Sequence, residues 1–189
     1  LLRISDLRVE YVTDDARVFA VNGLDLELNK GETLGLVGET GAGKTTTALS
    51  ILKLLPERTG QITGGGITLD GVDILKASEA DMRALRGNLV SMIFQDPMTS
   101  LNPVLTIGDQ IAEVLEFHRK QDGKEALDGR VDEILRLVGL PPERKHEYPH
   151  QFSGGMKHRI VIAIALACEP KLLPADRPTT PLDVTLPAQ

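Results

Sequence analysis

Residues 38–45 read Gly38-Glu39-Thr40-Gly41-Ala42-Gly43-Lys44-Thr45. This run fits the pattern G-x-x-x-x-G-K-[ST], which marks a phosphate-binding loop when it lies between a buried strand and a helix. The apolar residues 33–37 before it predict a short strand buried on both faces. The residues after it predict a helix from Lys44 to Leu55, ended by Pro56. The order of strand, loop and helix is therefore the one that the pattern requires.

The residue types in this loop suit the binding of a triphosphate. Glycines at 38, 41 and 43 permit backbone angles and close approaches that a Cβ would obstruct, so successive N–H groups line a concave anion site. The positive N-terminal end of the helix adds to this site. Lys44 would place its ammonium on the β- and γ-phosphate oxygens, and the Thr45 hydroxyl would ligate Mg²⁺. The plainer interpretation is a glycine-rich turn with an incidental lysine, but every fixed position of the pattern is matched.

Composition limits the class of protein. The chain has 189 residues, of which 41% are hydrophobic, 25% charged and 3% aromatic, which is typical of one globular domain and excludes a disordered or collagen-like chain. Its formal net charge of −6 argues against a nucleic-acid partner. A single cysteine, Cys168, has no intrachain disulfide partner and fits a reducing compartment. The apolar run 160–168 is too short to span a bilayer.

Hydrophobic periodicity predicts a strand-rich start, a helical middle and a return to strands. We expect strands at 1–12, 18–28, 67–69, 89–94 and 172–175. We expect helices at 106–120 and 126–138, a short helix that ends at Gly87, and a buried helix that begins at Ser153. The pair Ser78-x-x-Asp81 would form a capping box at the start of the short helix.

A second glycine motif, Phe152-Ser153-Gly154-Gly155-Met156, opens the last predicted helix. A helix start that carries Ser-Gly-Gly exposes free backbone N–H groups and is a second candidate anion site. Taken alone, such a tripeptide usually indicates an ordinary capped helix start and not a binding site. Its weight here comes from the phosphate loop more than a hundred residues upstream.

Taken together, these motifs resemble the nucleotide-binding subunit of an ATP-binding cassette (ABC) transporter. Residues 38–45 resemble the Walker A loop, Phe94-Gln95-Asp96 the Q-loop, and Ser153-Gly154-Gly155 the signature motif, with Phe152 where leucine is usual. Residues 172–176 resemble the Walker B strand, and Pro181-Leu182-Asp183 resembles the D-loop. The runs 94–103 and 178–185 are similar to the oligopeptide and dipeptide importer branch of the family.

This resemblance implies an α/β fold of the P-loop NTPase type, with a parallel core sheet, an antiparallel β edge layer and a helical subdomain. It also implies that the chain is C-terminally truncated, because the family's later segments and its switch histidine would follow Gln189. We therefore expect a single incomplete ABC ATPase domain with a core at 1–97 and 161–189 and a helical signature subdomain at 98–160.

The resemblance also assigns ATP and Mg²⁺ as ligands and gives roles to particular residues. ATP bound to this subunit would contact residues 38–46, from Gly38 to Thr46. Residues 153–156, from Ser153 to Met156, would contact the γ-phosphate of the ATP bound by a facing subunit. Thr45, Gln95 and Asp176 would surround Mg²⁺, and Gln95 would also approach the attacking water. Tyr11 would stack on adenine, with Phe19 as the alternative, although Tyr11 is equally interpreted as an ordinary strand residue.

By the same resemblance, the protein would be an ATPase that couples ATP binding and hydrolysis to import, for oligopeptides or dipeptides. Its partners would be a second ABC ATPase subunit, identical or different, whose interface includes Asp183, and integral membrane permease subunits that contact 98–160. An extracytoplasmic substrate-binding protein would take part indirectly. The chain would be peripheral, at the cytoplasmic face of the cell membrane.

Four departures from the family pattern fall near the end of the chain. Arg177 stands where the family has the glutamate general base, and arginine stays protonated, so it cannot accept the proton of the attacking water. Pro174 interrupts the Walker B strand, where its missing N–H removes a ladder hydrogen bond. Pro181 replaces the usual alanine, and Leu186-Pro187 replaces the usual Val-Gln.

Two explanations of these departures stay open. The tail is either degenerate sequence on an ordinary transporter subunit, or it belongs to a module that binds ATP and hydrolyses it poorly, with Arg177 paired to the γ-phosphate. The second explanation corresponds to a catalytically impaired regulatory module. A soluble, non-transport ABC protein is a further alternative, although the coiled-coil insert or tandem cassette of such proteins is not seen here. For the chain as written, we predict ATP binding without efficient turnover.

Overall fold

The computed structural model describes residues 1–94, 100–118 and 123–176. The chain divides into two compact units, Leu1–Arg86 and Gly87–Gln189, and each is described by itself. The division into a core at 1–97 and 161–189 and a subdomain at 98–160 stays a prediction.

The first unit contains a four-stranded sheet and two helices. Its elements in chain order are β1 (Leu2–Val12), β2 (Arg17–Leu28), α1 (Lys44–Ile51), β3 (Gly60–Leu69), β4 (Val72–Asp73) and α2 (Glu79–Leu85). The strand order is β2-β1-β3-β4, and every neighbouring pair is antiparallel. The antiparallel β layer predicted from the sequence is therefore confirmed.

A bulge in β1 explains why its hydrophobic alternation is loose. Leu2 and Ile4 are buried, and the register with both neighbouring strands shifts before Leu7 and Val9 return to the buried face. Asp6 sits in the bulge with φ 42°, and its N–H donates to Asp25 Oδ1 at 2.9 Å. The extra residue keeps four apolar side chains on one face of the sheet in spite of the broken period.

The first helix, α1, ends earlier than the sequence predicts. It ends at Ile51 rather than Leu55, because the chain closes in a Schellman motif with Lys53 in the left-handed region at φ 50°. The Leu54 N–H donates to the Leu49 carbonyl at 2.9 Å, and the Lys53 N–H donates to the Ser50 carbonyl at 3.1 Å. Pro56 is therefore not what stops the helix.

Two cations, Lys53 just after α1 and Arg86 at the end of α2, make hydrogen bonds around this helix end. Arg86 donates to the Leu52 carbonyl at 2.8 Å and to the Lys53 carbonyl at 3.1 Å. The Lys53 ammonium donates to the Leu75 carbonyl at 3.2 Å and to the Ala77 carbonyl at 2.8 Å. Positive charge is favourable here, because the carbonyl end of a helix carries partial negative charge.

The short helix α2 begins as predicted. The Ser78 hydroxyl accepts from the Asp81 N–H at 3.2 Å, while Asp81 Oδ2 accepts from the Ser78 N–H at 2.9 Å. Both hydrogen bonds of the capping box are present, so this prediction is confirmed.

The prediction of a buried strand at 33–37 is wrong. These residues form no strand, and Leu34, Leu36 and Val37 are 52%, 44% and 91% exposed. A strand buried on both faces needs partners for its backbone groups. Within the part of the chain that the structure describes, 33–37 does not join the sheet formed by β1 to β4. The phosphate loop is therefore preceded by an exposed segment without regular secondary structure.

The second unit is a helical cluster with a short parallel pairing. Its elements are α3 (Ile107–His118), α4 (Lys124–Leu137), 3₁₀ helices at Pro142–His146 and Pro149–Gln151, and α5 (Gly154–Leu166). These helices enclose one apolar core, whose largest fully buried side chains are Ile107, Ile111, Leu115, Ile134, Leu135 and Ile160. Across 1–94, 100–118 and 123–176, none of the helices has the length and apolar character of a membrane span.

The predicted strands 89–94 and 172–175 reduce to two isolated parallel bridges, Val90 with Leu172 and Ile93 with Ala175. The reason is the proline anticipated above. Ser91 N–H donates to the Leu172 carbonyl, Ile93 N–H to the Pro174 carbonyl, and Asp176 N–H to the Ile93 carbonyl, at 2.9–3.1 Å. The alternating parallel ladder calls for one more bond, from residue 174 to the Ser91 carbonyl, and Pro174 has no N–H to donate. The predicted loss of a ladder bond is therefore confirmed.

Ion pairs on both units predict a loss of stability in acid. Hydrogen bonds from Arg86 lower the pKa of Glu79, those from Lys145 lower the pKa of Asp128, and those from Arg144 lower the pKa of Glu147. A carboxyl whose pKa is lowered by folding stabilises the fold above its unfolded pKa, about 4, and this stabilisation is lost as pH falls through the folded value.

We therefore expect the free energy of unfolding to be nearly constant from about pH 7 to about pH 5 and to fall modestly below about pH 4, because the Glu79 and Asp128 carboxylates are more than half exposed and their ion pairs are screened by solvent. Urea denaturation at a series of pH values measures this dependence. Asp128→Asn should make the fall shallower, because its carboxylate, 2.7 Å from Lys145 Nζ, no longer titrates. A stability that stays flat to about pH 3 would contradict the prediction.

Candidate functional site

The glycine-rich loop between residue 37 and α1 has a backbone that needs its glycines. Gly41 and Gly43 have φ of 86° and 80°, in the left-handed region that side chains disfavour. A Cβ on Gly43 would also collide with the backbone carbonyl oxygen of Ala20. A Cβ on Gly38 would lie 3.1 Å from the Ala42 Cβ, across the loop. The sequence pattern thus corresponds to a tight turn that ends on the first residue of α1.

Lys44 folds its ammonium back over this loop. Lys44 Nζ donates to the carbonyl oxygens of Gly38 and Glu39, each at 2.7 Å, while the side chain stays half-buried. Both acceptors belong to the loop itself, so the positive charge is held at the mouth of the turn. An anion bound at the loop would therefore lie close to this positive charge, which would stabilise it.

The start of α1 presents its backbone amides to the same place. Gly43 is its N-cap and supplies no side-chain hydrogen bond, and the first turn carries no acidic residue. The Thr47 hydroxyl turns away to donate to the Gly43 carbonyl at 2.9 Å, while Thr45 is exposed. Such a helix start, with a lysine beside it, favours phosphate over any neutral ligand.

Tyr11 lies against this helix start from the sheet. It is half-buried on β1, and its hydroxyl lies 3.3 Å from the Thr46 hydroxyl in the first turn of α1. Phe19, on β2, is 64% exposed. The structure thus places Tyr11 against the first turn of α1 and leaves Phe19 on the surface. Adenine stacking by either ring stays a prediction.

The second glycine motif begins α5, as predicted. Ser153 is the N-cap, and its hydroxyl accepts from the Met156 N–H at 3.4 Å. A Cβ added to Gly154 or to Gly155 would meet nothing within 4 Å, so the space above these two residues is open. Phe152, at the position where leucine was expected, is 6% exposed and packs in the helical core. The motif is therefore an accessible helix start anchored by a buried ring.

The residues predicted to surround Mg²⁺ are described only in part. Thr45 is exposed in the first unit, and Asp176 is half-buried in the second, with its N–H donating to the Ile93 carbonyl at 2.9 Å. Hydroxyl and carboxylate oxygens are ligands that Mg²⁺ prefers, so these donor types fit the ion. Gln95, Arg177, Pro181 and Asp183 lie outside the described residues.

One group near the second motif was missed by the sequence analysis. The guanidinium of Arg144 lies 4.2 Å from the centroid of the Phe152 ring, beside the signature residues. Its acidic partner Glu147 stands three residues later, and that spacing was the only available signal.

Comparison with known proteins gives the family. The family model described as "ABC transporter" matches residues 21–180. The chain belongs to this family, and the resemblance predicted from its motifs is confirmed. The match includes both glycine motifs and the segment between them.

Relatives among curated proteins carry peptide-transport names. The chain is 50% identical to the oligopeptide transport ATP-binding protein OppD of Bacillus subtilis and 50% identical to the dipeptide transport ATP-binding protein DppD of the same organism. Both matches cover 100% of this chain but only 53% and 57% of those proteins. The chain thus spans little more than half the length of the relatives it matches.

Solved structures give the same fold. The dimeric ATP-binding cassette MJ0796, in a post-hydrolysis state bound to ADP and Pi, superposes with a TM-score of 0.83 at 26% identity. That match covers 95% of this chain and 75% of the other. The α/β ABC ATPase fold predicted from the sequence is therefore confirmed.

Proposed function

We propose that this protein is the ATP-binding, energy-coupling subunit of an ABC importer. The observation that carries the proposal is the loop before α1, where the Lys44 ammonium and the open helix start converge on one anion site. That arrangement fits the β- and γ-phosphates of ATP, with residues 38–46 as the binding segment. The position of this loop within the match to the ABC transporter family, over residues 21–180, supports ATP as the nucleotide.

Each residue of the site has a distinct task in this proposal. The loop amides and Lys44 bind and orient the phosphates, and Tyr11 or Phe19 stacks on the adenine. By the family resemblance, Thr45, Gln95 and Asp176 would hold Mg²⁺, and the ion would neutralise charge on the phosphate oxygens. Gln95 also orients the water that attacks the γ-phosphate. Hydrolysis requires a group that accepts a proton from this water, and Arg177 cannot do so.

We further propose that two such subunits face each other, so that Ser153, Gly154 and Gly155 of one contact the γ-phosphate bound by the other. The open space above Gly154 and Gly155 supports this role, because a phosphate can approach their backbone closely. Asp183 would lie at the interface of the two subunits. The partner is a second ABC ATPase subunit, either identical or different.

The transported substrate is proposed to be oligopeptides or dipeptides, on the strength of the relatives' names. The remaining partners are integral membrane permease subunits, which contact a helical subdomain at 98–160, and indirectly an extracytoplasmic substrate-binding protein. The protein would then lie peripherally at the cytoplasmic face of the cell membrane. The formal net charge of −6 supports the absence of a nucleic-acid partner.

Arg177 favours a second candidate function, a regulatory module that binds ATP but turns it over poorly. We expect single-turnover hydrolysis of Mg-ATP by this chain to be slow and Arg177→Glu to accelerate it by about 100-fold, because a general base contributes on this order. Arg177→Gln is the matched control, since it removes the cation without adding a base.

Titration calorimetry with Mg-ATP tests the binding that both candidates share, and the expected result is saturable binding. A folded sample that releases no heat and shows no saturation would overturn the proposal. Fast hydrolysis by the unchanged chain would exclude the regulatory module and support the importer ATPase.

A further inference from the structure

We infer that Arg144 is a positioning residue for the signature motif, holding the Ser153-Gly154-Gly155 backbone in the geometry that receives a phosphate from a facing subunit. This inference rests on the proposed function. It concerns a residue outside both glycine motifs, in the 3₁₀ helix Pro142–His146.

The guanidinium of Arg144 contacts the chain on both sides of the motif. On the N-terminal side, Nη2 donates to the Gln151 carbonyl at 3.2 Å, and the guanidinium carbon lies 4.2 Å from the Phe152 ring centroid. On the C-terminal side, Nη1 lies 3.5 Å from the Met156 sulfur. Ser153, Gly154 and Gly155 are therefore bracketed by three contacts of a single planar group.

Glu147 fixes the orientation of that planar group. Arg144 Nε lies 3.1 and 3.0 Å from the two carboxylate oxygens of Glu147, and Nη2 lies 2.6 Å from Oε2. The Glu147 carbonyl in turn accepts from the Ile107 N–H at 2.9 Å, at the start of α3. The guanidinium thus has little freedom to rotate, because a two-point pair fixes its plane as well as its position.

The motif needs such an external support because its own residues provide little. Gly154 and Gly155 carry no side chains that could pack, and glycine has more backbone freedom than any other residue. The cap from Ser153 to the Met156 N–H is long, at 3.4 Å. Backbone N–H groups bind a phosphate well only when they already point toward it. Arg144 contacts the Gln151 backbone and the Phe152 ring before these glycines and the Met156 side chain after them.

A merely structural ion pair would predict something different. Loss of such a pair lowers thermal stability and leaves nucleotide-driven behaviour unchanged below the melting temperature. A positioning role predicts a selective effect on the step that uses the signature motif, which is association of two ATP-loaded subunits. Binding of Mg-ATP to the phosphate loop of a single subunit should be unaffected.

The experiment compares the unchanged protein with Arg144→Met, Arg144→Lys and Glu147→Gln. Mg-ATP affinity is measured at a protein concentration at which the chain is monomeric, and ATP-dependent dimerisation is measured by analytical ultracentrifugation. Arg136→Met is the matched control, because Arg136 lies in the same unit, is 61% exposed and makes one long ion pair of 3.9 Å with Asp132. A thermal melt of each variant establishes that all measurements are made on folded protein.

We expect Arg144→Met to weaken ATP-dependent dimerisation by about tenfold, as for loss of a charge-assisted hydrogen bond, with unchanged monomer affinity. Arg144→Lys should recover part of this loss, because it keeps the charge but not the two-point pair. Glu147→Gln should lie between the two, and Arg136→Met should match the unchanged protein. If Arg144→Met does not fold, Arg144→Lys and Glu147→Gln decide the question.

Two negative outcomes are distinguishable. Normal dimerisation of the folded Arg144 variants would overturn this inference and leave the proposed function intact, as would equal losses in Arg144→Met and Arg136→Met. Failure of the unchanged protein to bind Mg-ATP would overturn the proposed function itself. Binding without any ATP-dependent dimerisation of the unchanged protein would overturn the facing-subunit arrangement and this inference with it.

Discussion

Lys44→Ala is expected to weaken Mg-ATP binding by at least about 100-fold, because two or more charge-assisted hydrogen bonds to phosphate, worth about 1.5–3 kcal/mol each, are lost. The Lys44 ammonium lies 2.7 Å from two carbonyl oxygens of its own loop, so the positive charge is positioned at the site before any ligand binds. Titration calorimetry at concentrations that saturate the unchanged protein measures the loss.

The fold should survive Lys44→Ala. The carbonyls of Gly38 and Glu39 lie in an exposed loop, so water replaces the lysine as their donor at little cost. Lys30→Ala is the matched control, since Lys30 lies in the same unit with its side chain 70% exposed and 3.9 Å from Asp70. Equal affinity of Lys44→Ala and Lys30→Ala for Mg-ATP would show that the loop is not the phosphate site.

Gly43→Ala is expected to lower the free energy of unfolding by about 3 kcal/mol or more. The left-handed backbone at φ 80° costs an alanine about 1–2 kcal/mol, and the new Cβ must in addition displace the Ala20 carbonyl of β2. This oxygen is part of the β2 backbone, which cannot move aside as a flexible side chain could. Urea denaturation measures the loss, and Mg-ATP binding should disappear with it.

A second glycine separates the two causes. Gly31 has φ 78°, nearly the same as Gly43, but a Cβ there meets nothing within 4 Å. Gly31→Ala therefore isolates the backbone cost, about 1–2 kcal/mol. The difference between the two variants is the cost of the collision with β2. Equal destabilisation by the two substitutions would contradict the close approach of Gly43 to the Ala20 carbonyl.

The features that the sequence predicted well are those decided by neighbouring residues. The capping box of Ser78 and Asp81, the N-cap at Ser153 and the lost ladder bond at Pro174 each depend on atoms a few residues apart or on the chemistry of one residue. The family pattern likewise rests on glycines whose backbone requirement is local. Such signals are present in the sequence before any tertiary contact forms.

The features that were missed depend on distant partners. The hydrophobicity of 33–37 is real, but pairing partners, not hydrophobicity alone, decide whether a strand forms. The early end of α1 places Lys53 in a left-handed position where glycine is usual. The Leu52 and Lys53 carbonyls there accept hydrogen bonds from Arg86, more than thirty residues away. Arg144 was missed because the 3₁₀ helix that returns it to Phe152 leaves little sequence pattern.

The cations at the far end of α1 have a mechanical consequence. The eight residues of α1 connect the phosphate loop to a helix end that is surrounded by hydrogen bonds from Lys53 and Arg86. Lys53 donates to the Leu75 and Ala77 carbonyls, and Arg86 donates to the Leu52 and Lys53 carbonyls just beyond the last residue of α1. A displacement of the first turn of α1 would therefore reach the segment that follows β4 through the hydrogen bonds of Lys53.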